Sequence, residues 1–177
     1  SQAMVIGNPM HEQTQMGPMV STGQRRSVES YIEIGRQEGA RLVCGGHRPQ
    51  ADELHDGAAC GEGYFLRPTV FADTTPNMRI VEEEIFGPVV TVMPFDTEAE
   101  AIALANDSIY GLSGSVWTND LKRGLRVARG VRTGNLSVNS SSSVFLQAPF
   151  GCMKQSGLGS ELGMNALPQY SAVKNIY

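Results

Sequence analysis

Carboxylates and thiols are the side chains here with the most chemistry to offer. Glu82, Glu83 and Glu84 stand together ahead of Ile85, Phe86, Gly87 and Pro88. A carboxylate so placed can act as a base, accept hydrogen bonds from ligand hydroxyls, or hydrate the end of a strand. Residue types alone leave all three open. Glu161 lies in the stretch GSELG, where small neighbours let a backbone pass close to a ligand or to another chain segment with equal ease.

The thiols are Cys44, Cys60 and Cys152, an odd and widely spaced set that fits neither a disulfide framework nor a zinc ribbon. A reducing, cytoplasmic setting is the expectation. Cys44 reads as a core filler inside a strand and Cys60 as an exposed thiol in a polar loop. Cys152 has no histidine near it in sequence to make it a thiolate, so it reads as a small residue in a tight turn rather than a nucleophile. His11, His47 and His55 show no metal-ligand spacing with any cysteine.

The elements that must position these groups are legible from pattern. Ser21 or Thr22 can cap a helix in which Val28, Tyr31, Ile32 and Gly35 recur on one face, with Gly39 to end it. Residues 41–46, 64–73 and 89–96 have strand character, and the acids at 82–84 fall between elements. From 97 to 140 the chain reads helix, strand, helix, strand at lengths suited to parallel crossovers. On the second of those helices Leu121, Leu125 and Ala128 face one way. Lys122, Arg123, Arg126 and Arg129 surround the rest as a solvated face. Residues 5–20 read as an extended loop, SQAM at 1–4 as a frayed or appended start, and 171–177 as a terminal strand.

Length and composition set outer limits. A chain of 177 residues, 41% hydrophobic, suffices for one core, and one domain is the default. The net charge is −4 and the 14 Lys and Arg are scattered, which disfavours nucleic acid and anionic membrane surfaces. No apolar run approaches the roughly 18 residues of a membrane span.

The ordered series MGPMVS, GYFLRPTVF, EEEIFGPVV, ANDSIYGLSGSVWTND, GNLSVN and APFGCMKQSGLGSELG resembles the C-terminal half of the aldehyde dehydrogenase superfamily, over nearly the whole chain from Val5 to Tyr177. The resemblance implies an α/β fold, with residues 5–168 the parallel-sheet part of a catalytic domain and 169–177 an oligomerisation strand. It also implies NAD or NADP as cofactor, a small-molecule aldehyde as substrate, oxidation to a carboxylic acid, and a homo-oligomer. The family's Gly, Gln and Cys-bearing nucleophile motif, its ELGG-type general-base motif and its dinucleotide-binding domain do not occur in these residues. The chain is therefore expected to be a C-terminal piece, inactive alone.

Site residues follow position by position from the same resemblance. Glu84 corresponds to the glutamate that binds the nicotinamide ribose, and Phe86 to the aromatic beside the nicotinamide, leaving Glu82 and Glu83 solvated. Glu161 corresponds to a proton-relay glutamate of some subfamilies, betaine aldehyde dehydrogenases among them, where burial would weaken its acidity as a relay requires. The competing reading is a helix-start glutamate. Ser160 departs from the usual Arg and removes an ion-pair partner. Lys154 and Gly157 correspond to a potassium site built from backbone carbonyls. Residues 139–146 match the loop at the aldehyde entrance, with Phe145 and Phe150 as its aromatics. Betaine aldehyde, an aminoaldehyde and a simple aliphatic aldehyde all fit. A non-catalytic assembly module working through the terminal strand is the alternative.

Overall fold

Ser21 accepts a hydrogen bond from the Gln24 amide at 3.1 Å and so opens α1, Thr22–Gln37. Gly39 closes it in a left-handed conformation, φ +88°. Its amide donates to the Arg36 carbonyl, and the Ala40 amide donates to the Gly35 carbonyl, the paired bonds of a Schellman ending. A computed structural model of the chain describes residues 2–55, 63–142 and 144–177, which leaves Cys60 and Ser143 outside the described residues.

Compactness divides the chain into two units, 1–94 and 95–177, where length suggested one domain. In the first, β1 (Arg41–Cys44), β2 (Thr69–Ala72) and β3 (Val89–Thr91) form a sheet in that order, β1 antiparallel to β2 and β2 parallel to β3. The short helix α2, Arg79–Glu82, lies within the β2 to β3 crossover, a turn of helix in a stretch that sequence pattern left irregular. Val28 and Ile32 of α1 pack with Ala40, Leu66, Phe71 and Ile80 into a core in which Phe71 is fully buried. The expected face of α1 is thus the buried one. The N-terminal loop adds a smaller cluster of Ile6, Leu54 and Phe65, with Met16 against it. Cys44 is half-buried at the end of β1.

The second unit contains α3 (Glu98–Asn106), β4 (Tyr110–Gly111), β5 (Ser113–Val116), α4 (Leu121–Gly130), β6 (Asn135–Val138), β7 (Phe150–Gly151), β8 (Met153–Lys154) and β9 (Ser160–Glu161). Thr97 caps α3 and Asp120 caps α4. Strands β5 and β6 run parallel in the register Ser113↔Asn135 to Val116↔Val138, with α4 as their crossover, as the periodicity predicts. Leu121 and Leu125 are exposed, and Gly124 is the buried position of α4. Arg123 and Arg126 both lie against Glu98 of α3, so half of the basic group expected to be solvated is ion-paired. Residues 164–170 form a 3-10 helix. Residues 171–177 have no strand partner among the described residues, and Val173, Ile176 and Tyr177 are exposed. No described helix is long and apolar enough to cross a membrane.

Candidate functional site

The acidic stretch sorts itself by alternation. After α2 the backbone is extended at Glu83, φ −93° and ψ 147°, and exposure alternates along the four residues from Glu83 to Phe86. Glu83 and Ile85 turn inward, Ile85 onto the core of the first unit, while Glu84 and Phe86 turn outward. Phe86 is 75% exposed. The Glu84 carboxylate makes no hydrogen bond or ion pair among the described residues, and its two oxygens are available to hydroxyl donors. The structure therefore leaves both Glu84 and Phe86 exposed on this segment.

Glu83 stays partly exposed, as expected of a solvated acid, but it is not free of partners. Its carboxylate accepts from Arg79 Nε at 2.6 Å and Nη2 at 3.0 Å, and from the Tyr31 hydroxyl at 2.7 Å. The Arg79 fork, and after it the Tyr31 hydroxyl, hold its pKa down at about 2. Arg79 is itself fixed, because its amide donates to the Glu38 carboxylate and its guanidinium lies 5.9 Å from the Tyr31 ring centroid. The Gln24 side chain donates to the Phe86 carbonyl, and Gly87 passes so close to Val28 that a Cβ there would lie 2.5 Å from a Val28 methyl. The i, i+4 spacing of Arg79 and Glu83 was the available sequence signal for this cluster. Nothing local pointed to Tyr31 or Gln24.

In the second unit, Phe150 and Glu161 are directly opposed across the antiparallel β7–β9 pair, which puts their side chains on the same face. Glu161 is exposed rather than enclosed by glycines, and it sits in a strand rather than at a helix start. Lys154 has φ +55°, and its ammonium donates to the carbonyls of Asn106 at 2.9 Å and Ser108 at 2.8 Å. Gly157 has φ +141° and lies against the Cys152 sulfur, where a Cβ would come within 3.2 Å. Cys152 is half-buried with its thiol 3.9 Å from the Gly159 carbonyl oxygen.

Asn139, expected at the head of the substrate loop, works as a clamp: Thr118 N–H donates to its amide oxygen at 2.8 Å and its amide nitrogen donates to the Thr118 carbonyl at 2.9 Å. The serines that follow bond locally, Ser137 to the Ser142 carbonyl and the Ser142 amide to Ser140. Phe145 is 56% exposed. Asn135 went unnoticed in the sequence. Its side-chain amide donates to the carbonyls of Leu112 and Gly151, tying β7 and therefore Phe150 to the β5–β6 pair. Among the described residues no group of three or more His, Cys, Asp or Glu side chains is placed to hold a metal ion.

The aldehyde dehydrogenase family profile matches residues 1–176. The chain is 47% identical over 172 residues to a betaine aldehyde dehydrogenase of Bacillus subtilis, covering 97% of this chain and 34% of that protein. It is 50% identical over 177 residues to one of Rhizobium johnstonii, covering 100% of this chain and 35% of that one. Among solved structures, a betaine aldehyde dehydrogenase from Staphylococcus aureus in complex with NAD+ superposes with a TM-score of 0.88 at 46% identity, over 94% of this chain and 32% of that one. The chain spans about a third of the length of the relatives it matches.

Proposed function

Because the chain belongs to the aldehyde dehydrogenase family, we propose that it is the nicotinamide-facing and substrate-facing part of a dehydrogenase that oxidises an aldehyde to a carboxylic acid with NAD. The observation that carries this reading is the exposed pair Glu84 and Phe86, one a carboxylate without a partner among the described residues and the other an exposed ring, on a segment anchored from behind. Glu84 accepts hydrogen bonds from the two vicinal hydroxyls of the nicotinamide ribose, a match between paired carboxylate oxygens and paired donors. Phe86 covers one flank of the ring and limits water there. The nicotinamide, when bound, supplies the hydride acceptor.

On the substrate side, the relatives named above are betaine aldehyde dehydrogenases, and betaine aldehyde or an aminoaldehyde is the class we assign. Phe150 and Phe145 offer ring faces to a cationic head. Glu161, opposite Phe150, places an exposed carboxylate at the rim of that site, without the burial that the relay role calls for. Potassium, where bound, would be held by the backbone carbonyls of Lys154 and Gly157, while the Lys154 ammonium itself donates to the carbonyls of Asn106 and Ser108; no step is routed through a cation. The exposed apolar tail at 171–177 supports a homo-oligomer in which it pairs with a neighbouring sheet.

The reaction itself needs a thiolate nucleophile and a base that these residues do not supply. The chain alone is expected to form no NADH with betaine aldehyde, aminoaldehydes or aliphatic aldehydes. A longer dehydrogenase polypeptide carrying it is expected to do so, and Glu84→Gln in that polypeptide is expected to raise KM for NAD by roughly tenfold, the loss of one charge-assisted contact. An unchanged KM for NAD would remove the cofactor role of Glu84.

A further inference from the structure

The segment that presents Glu84 and Phe86 has almost no backbone support of its own. Residues 84–86 belong to no ladder or helix, and the Gly87 amide reaches only back to the Ile85 carbonyl at 2.7 Å. What fixes the segment comes from the side facing the protein: Glu83 on Tyr31 and Arg79, Ile85 in the core, and Gln24 on the Phe86 carbonyl. Glu83 adjoins Glu84 and lies three residues before Phe86, so a change in its backbone moves the start of the segment that carries both.

We propose that Glu83 is a positioning residue, latched by the Tyr31 hydroxyl and the Arg79 guanidinium, that sets the direction in which Glu84 and Phe86 meet the nicotinamide ribose. This rests on the cofactor reading given above. The latch is redundant: three hydrogen bonds from two residues converge on one carboxylate, and Arg79 is braced in turn by Glu38 through its amide. Such convergence locks a rotamer more firmly than any single contact. Glu83 remains ionised at any working pH, so it acts by geometry and not as a switch.

Two measurements on three variants test this. In the chain itself, chymotryptic cleavage after Phe86, followed by mass spectrometry against cleavage at Tyr170 as internal reference, reports how often the segment opens. Glu83→Gln and Tyr31→Phe are expected to speed cleavage after Phe86 severalfold while leaving the reference site alone. Tyr31→Phe removes the hydroxyl's hydrogen bond to Glu83 and leaves the Arg79–Glu83 pair in place, so it gives an answer even where Glu83→Gln disturbs folding. In a longer dehydrogenase carrying the chain, both variants are expected to raise KM for NAD while KM for the aldehyde holds, with partial recovery in Glu83→Asp. Unchanged KM for NAD in both, or unchanged cleavage in both, overturns the latch. If Glu84→Gln leaves KM for NAD unchanged, the cofactor reading fails instead, and the cleavage rates still decide whether Glu83 holds the segment.

Discussion

Glu83 and Glu84 are adjacent in sequence and opposite in environment, and the difference has a pH signature. The Glu83 pKa falls from 4.5 to about 2 because Arg79 and Tyr31 bond its ionised form. A depressed folded-state pKa contributes stability that is fully present above 4.5, the unfolded value, and is lost as pH falls toward about 2. Asp73, Glu29 and Glu98 are lowered as well, by Arg41, Arg48 and Arg126, so acid weakens several pairs together. Subtracting variants isolates one. Denaturant unfolding of wild type and Glu83→Gln should show the largest stability gap above pH 4.5 and a gap that narrows toward pH 2. A Glu83→Gln curve parallel to wild type would mean that the carboxylate gains nothing from its partners.

At the scale of elements, the segment carrying Glu84 and Phe86 depends on α1 in two ways that can be separated. Ser21→Ala removes the cap on the Gln24 amide and should destabilise the first unit by about 1 kcal/mol, read as a lower midpoint in urea. Because Gln24 also holds the Phe86 carbonyl, fraying at the start of α1 should loosen Phe86 as well. Gly87→Ala acts from the other side, since its new methyl would meet the rigid Val28 side chain at 2.5 Å. Overpacking there should cost about 1–3 kcal/mol and push the segment outward. These cases show which parts of the fold were legible in sequence. The caps at Ser21 and Gly39 and the buried face of α1 depend on residues within a few positions of each other, and the β5–α4–β6 crossover follows from the period of each of its elements, so local pattern found them. Glu83 turns inward because of Tyr31, 52 positions away, and Asn135 reaches Gly151 across 16, contacts that no local period encodes. The outward placement of Glu84 and Phe86 was legible through the family resemblance. The inward machinery behind them was not, because it rests on pairings specific to the folded chain.

At the scale of the whole molecule, the two units differ in how much apolar surface they bury. Every buried hydrophobic side chain among the described residues lies between Ile6 and Ile80, in the first unit. In the second, the buried positions among the described residues are Gly111 and Gly124, while Trp117, Leu121, Leu125 and Leu158 are exposed. A cleft of about 830 Å3, lined by Phe95, Leu112, Val116, Val127 and Leu136 among others, opens over the short β5–β6 pair. Parallel strands are ordinarily covered on both faces, and two of them with an open apolar cleft cannot offset the entropy of ordering some eighty residues. The second unit is therefore expected to be the less stable part and the source of association. Amide hydrogen exchange should show slow exchange in α1 and β2 and much faster exchange in β5, α4 and β6. Sedimentation velocity should show association that grows with concentration. Replacing Leu121 and Leu125 together by Glu should reduce that association while leaving exchange in the first unit untouched, because both side chains are exposed on α4. A chain that sediments as a monomer at high concentration, with equal protection in both units, would show that the second unit finds its stability without covering this surface.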